Sequence, residues 1–121
     1  MDYSQEINTQ RCNNPGNDPI SIGATCVAQI DGRFFLLIEI EIEVMGIERE
    51  EVIITEITAA QAAALIAAGV MRCQIVTTIP TGAGVTLICA FVVGQNVFLV
   101  FNVENATDRL VLVRVPLCRI I

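Results

Sequence analysis

Hydrophobic and polar positions alternate with period two along most of this chain. The clearest case is Arg33 to Gly46, "RFFLLIEIEIEVMG", where Ile38, Ile40, Ile42 and Val44 interleave with Glu39, Glu41 and Glu43. Successive side chains on a strand point to opposite faces, so this pattern predicts one apolar face and one acidic face. Same-face neighbours lie about 7 Å apart. That is too far for successive carboxylates to share a proton, and a straight row cannot fold around a calcium ion. The three glutamates are therefore read as the solvated side of a strand, with an acidic stripe that meets Arg on a neighbouring strand or subunit as the alternative.

The same reading extends along the chain. "ISIGATCVAQI" from Ile20 predicts a strand, with Gly23 marking a bulge or bend. Asp31-Gly32 is a hairpin signal of type I′, and "GIEREE" (46–51) reads as a charged turn before the strand "VIITEI" (52–57). At Thr58 the period changes. Thr58 is a candidate N-cap, Gln61 completes a capping box, alanines fill the interior and Gly69 stands beyond the end. A short helix at 58–68 is expected to dock through Leu65 and Ile66. "VMRCQIVTTI" predicts a strand ending at Pro80, and "PTGAG" a loop. "VTLICAFVV", "NVFLVFNVE" and "RLVLVRVPL" predict a meander. Several of these strands are apolar on both faces, so both faces need a cover, and a second subunit could supply one.

About seven strands with turn signals every 8–12 residues predict an all-β fold, a sandwich or jelly-roll-like domain over 20–121, with one short helix. Residues 1–19, "MDYSQEINTQRCNNPGNDP", read as an extended N-terminal arm. This arm is too polar to order itself, so contacts outside its own domain would have to hold it.

Composition sharpens the picture. Of 121 residues 54% are hydrophobic, yet aromatics are 5%, so the surplus over the ordinary ~45–50% is aliphatic. The longest apolar runs are about half a membrane-spanning helix, so no span is expected. No signal peptide is expected either, because no basic region and apolar run open the chain. Burial between copies of the chain would account for the surplus. The net charge of −6, with seven Arg, no Lys and no His, offers no footprint for nucleic acid. Without His or Lys, and with Ser only at 4 and 21, a nucleophile has no base in reach, so no enzyme is expected. No cofactor or metal is expected, and the scarcity of aromatic residues disfavours a small-molecule pocket. Asn105-Ala106-Thr107 is read as a turn rather than a glycan acceptor.

Five cysteines stand at 12, 26, 73, 89 and 118, with no CxxC and no His to complete a zinc site. Cys73 and Cys89, inside apolar strand patterns, read as buried thiols. Cys12, in a segment with no core to hide it, reads as bonded to another chain. Cys118, just past the edge-strand Pro116, is its expected partner, and Cys26 is a further inter-subunit candidate.

A Cys-bearing connector, "QRCNNPGNDP", ahead of a small aliphatic β-sandwich resembles the disulfide-linked, pilus-like appendage subunits on bacterial endospores. That resemblance implies a self-assembling fibre or layer outside the cell or on the spore surface. It also implies that no signal peptide is needed, because the mother cell lyses. The residues leave two other readings open: a closed homo-oligomeric binding module in the cytoplasm, and a subunit of a virus-like or phage particle.

Overall fold

A computed structural model describes residues 20–105 and 107–119. The N-terminal arm and Cys12 lie outside the described residues. The rest is an all-β, two-layer sandwich of eight strands with one short helix. Sheet 1 has the order β3-β2-β1-β4, where β1 is Ile20–Ile30, β2 Arg33–Val44, β3 Ile47–Ile57 and β4 Met71–Arg72. Sheet 2 has the order β5-β8-β7-β6, where β5 is Gln74–Val76, β6 Val85–Val93, β7 Asn96–Glu104 and β8 Asp108–Pro116.

Turn chemistry sets the hairpins of sheet 1. Asp31 and Gly32 both adopt positive φ, as a type I′ turn requires. Met45 and Gly46 do the same, so the second hairpin turns there and β3 begins at Ile47. The segment 46–51, expected as a charged turn, is therefore mostly strand. Glu48, Glu50 and Glu51 are tolerated because β3 is an edge strand open to water.

The expected strand over 70–79 is two strands in two different sheets. Met71–Arg72 pairs in parallel with β1, and Gln74–Val76 pairs in parallel with β8. The chain steps from sheet to sheet at Cys73 and closes that side of the sandwich. Residues 77–84 then carry it from one edge of sheet 2 to the other. Gly84 makes this route feasible. Its φ is +82°, and a Cβ there would stand 2.4 Å from the Glu104 carbonyl oxygen.

The core lies between the sheets. Cys26, Ala28, Ile30, Phe35 and Leu37 of sheet 1 meet Phe98, Val100, Leu110 and Leu112 of sheet 2. Phe91 stacks on Phe98 with ring centroids 5.6 Å apart. In β7 and β8 the opposite face is also buried within the single chain, at Phe101, Val103, Val111 and Val113. A neighbouring subunit is not needed to cover those positions.

The helix α1 (Ala59–Ala67) starts as its sequence predicts. Thr58 caps the Gln61 amide at 3.1 Å, and the Gln61 side chain accepts from the Thr58 amide at 2.9 Å. It contacts β1 and β2, and the burial of Val27 and Ile40, which register puts on the face of sheet 1 turned away from the core, sets it on that face. Ala62 is its buried residue, whereas Leu65 and Ile66 are half-buried. The smallest side chain sits at the closest approach, so the helix lies near the sheet and its larger residues splay to the sides.

Candidate functional site: the acidic end and the cysteine crossover

Odd-numbered residues of β2 point into the sandwich, as the burial of Phe35 and Leu37 shows. Glu39 belongs to that series and is 0% exposed. The expectation that Glu39, Glu41 and Glu43 form one wet face is thus overturned at Glu39. Period two says which residues share a face, and here the acidic face is the inner one. The apolar positions of β2 face the helix side instead. The row reaches water progressively, with Glu41 half-buried and Glu43 exposed, because β2 runs out past the end of sheet 2.

Three features make Glu39 tolerable. Asn102 of β7, itself 3% exposed, donates its amide to both carboxylate oxygens at 2.9 Å, tying the two sheets together. The Ala24 backbone amide donates to Oε1 at 3.2 Å. The register of β1 against β2 shifts between Ile22 and Thr25, and this bulge is what aims that amide inward. Gly23 is the third feature. A Cβ on Gly23 would lie 2.7 Å from Oε1, so the strand can approach only without one. Gly23 was legible as a bulge. Asn102 was missed, although a lone amide amid "NVFLVFNVE" is a visible signal.

Burial raises the Glu39 pKa above the ordinary value of 4.5, and the negative charges of Glu50 and Asp108 push the same way, while its hydrogen bonds oppose the shift. Glu50 is also raised, first by burial and then by Glu41, Asp108 and Glu48. Glu104 is raised by a side-chain hydrogen bond with Asp108 and by its charge. Cross-strand register explains the crowding, for Glu41 faces Glu50, Glu43 faces Glu48, and Glu104 faces Asp108. Like charges directly opposite one another are unfavourable. Among the described residues, no group of three or more Cys, Asp or Glu side chains is arranged to hold a metal ion. Through Asn102 the Glu39 carboxylate links the two sheets.

The cysteines separate into two kinds. Cys26 on β1 is bonded to Cys73 at the crossover between sheets. Cys73 is therefore not the buried thiol expected. Cys26, a candidate for bonding a neighbour, is engaged within its own chain, because the parallel pairing of β4 with β1 brings the two together. Cys89 is a half-buried free thiol whose pKa is raised by burial. Cys118, in a 3-10 turn at Leu117–Arg119, is a free, exposed thiol.

The two long outer edges differ. β3 carries Glu48, Arg49, Glu50, Glu51 and Glu56. β6, "VTLICAFVV", has neither charge nor proline, and exposes Leu87 and Val92 by 54% and 59%. No family model, curated protein or solved structure matches the chain.

Proposed function

We propose that this protein is a self-assembling structural subunit of a fibre or layer outside the cell or on a spore surface. The observation that carries the reading is the β6 edge. Soluble proteins guard long edge strands with charge, proline or a covering element. β3 is guarded by charge, whereas β6 carries neither charge nor proline and is interrupted by a bulge between Leu87 and Cys89. So lightly guarded an edge, nine apolar or neutral residues long, suits strand addition by another copy.

Two features support the reading. The Cys26–Cys73 disulfide fits an oxidising setting better than a reducing cytoplasm. Cys118 presents a free thiol at the surface, where Cys12 of a neighbouring arm could bond to it. The subunit carries no catalytic or cofactor role in this scheme, and its partners are copies of itself.

The test is negative-stain imaging of the protein under oxidising conditions, with and without reductant, beside Leu87→Lys. The wild type is expected to form polymers, and Leu87→Lys to remain folded by circular dichroism but unpolymerised. Cys12→Ser should remove the disulfide-linked ladder on a non-reducing gel. If Leu87→Lys polymerises normally and Cys12 reacts freely with a thiol reagent in the assembly, the reading fails.

A further inference from the structure

At the end where β2 and β3 turn, sheet 1 projects past sheet 2, and its two faces differ sharply. The inner face carries Glu41, Glu43, Glu48 and Glu50. The outer face carries Ile20, Ile22, Ile42, Val44 and Ile47, which register places side by side, with Met45 at the tip. Ile22 is 71% exposed, Val44 52%, Met45 96% and Ile47 66%. Helix α1 covers the middle of this face and leaves the projecting end bare. A contiguous exposed aliphatic patch marks an interaction surface.

We infer that this patch pairs with the same patch of a second copy, outer face to outer face. The inference rests on the reading that copies of this chain are its partners, and it identifies a contact separate from the β6 edge. Charge selects the occupant. The molecule carries −6, yet among the described residues register places only Arg49 and Glu51 of the charged side chains on the outer side of the projecting end, and they pair with each other at 3.2 Å. Two patches can therefore meet with no net charge between them. The carboxylates of both copies then point away from the contact, on the far faces of their sheets. A basic partner would choose the acidic inner face instead. An anionic lipid surface would be repelled by carboxylates one strand thickness away, and Arg49 on the outer face is already paired with Glu51. Residues 1–19 are too polar in composition to be its cover. With six named residues a side against the roughly 20–30 of a standard interface, the self-contact is small, so it is weak alone and gains strength within a polymer.

Sedimentation equilibrium over a concentration series tests this in the full-length Leu87→Lys background, which isolates the contact from strand addition. A monomer–dimer equilibrium is expected. Adding Val44→Asp, which buries a charge in the contact, should weaken dimerisation at least about tenfold. Glu43→Lys, on the opposite face, should not weaken it. Unchanged far-UV circular dichroism shows that each variant is folded. If Leu87→Lys is monomeric throughout while the wild type still forms fibres, the patch inference is overturned and the fibre reading stands. If the wild type forms no polymer but a Val44-sensitive dimer persists, the inference stands and the fibre reading fails. Dimerisation insensitive to Val44→Asp, or binding to neutral phospholipid vesicles without dimerisation, overturns the inference.

Discussion

Glu39 shows how much one buried carboxylate depends on its neighbours. Its charge is tolerated because Asn102 and the Ala24 amide donate to it, and Gly23 leaves it room. Asn102→Ala removes the link between sheets and leaves the carboxylate short of donors. A loss of about 1–3 kcal/mol is expected at neutral pH in denaturant unfolding, and a smaller loss in acid, where a neutral carboxyl is easier to leave unpaired. An equal loss at both pH values would mean that Asn102 acts by packing alone. Glu39→Gln removes the buried charge but sets an amide donor against the Asn102 amide, so the two effects oppose and stability at neutral pH should change by less than about 1 kcal/mol.

At the scale of elements, local chemistry and packing contribute separately. The capping box of α1 is local, and Thr58→Ala should cost about 1 kcal/mol by thermal or denaturant unfolding. Leu65 is only half-buried, so Leu65→Ala should cost less than the roughly 2–5 kcal/mol of a fully buried leucine. A larger loss would place Leu65 deeper against the sheet than the structure does. The edge strands show the same division. β3 and β6 are both edge strands, but β3 carries five charged residues, whereas β6 carries none and is interrupted by a bulge between Leu87 and Cys89.

For the whole molecule, the Cys26–Cys73 bond closes a loop across 47 residues at the point where the chain changes sheets. Removing it with a Cys26→Ala/Cys73→Ala pair should lower stability by about 2–4 kcal/mol and shift the thermal midpoint accordingly. The acidic end sets the pH response. Glu39, Glu50 and Glu104 have folded pKa values raised above 4.5, so the folded chain binds their protons more tightly than the unfolded one. Their contribution is complete below the unfolded value and is lost as pH rises through the raised values. Glu56, lowered by its hydrogen bonds to Arg33, acts in the opposite sense and loses its contribution as pH falls through its lowered value. Its exposed ion pair is worth little. The thermal midpoint should therefore be higher at pH 5 than at pH 7, and Glu39→Gln should flatten the difference. A midpoint that falls on mild acidification would contradict this account.

The sequence by itself determined the features that depend on a few adjacent residues. Asp31-Gly32 dictates a left-handed turn, Thr58 to Gly69 a capped helix, Gly23 a bulge, and alternating aliphatics the strands of an all-β domain. The tertiary structure decided which face of each strand turned inward. Alternation is symmetric between faces, and only the second sheet on one side and the helix on the other placed Glu39 inside. It also decided where the chain changed sheets. An apolar run such as "VMRCQIV" carries no mark of the point at which its hydrogen-bonding partner switches from β1 to β8. The pairing of Cys26 with Cys73 followed from that switch. Contacts across 47 residues of chain depend on the packing of both sheets, which no local pattern encodes.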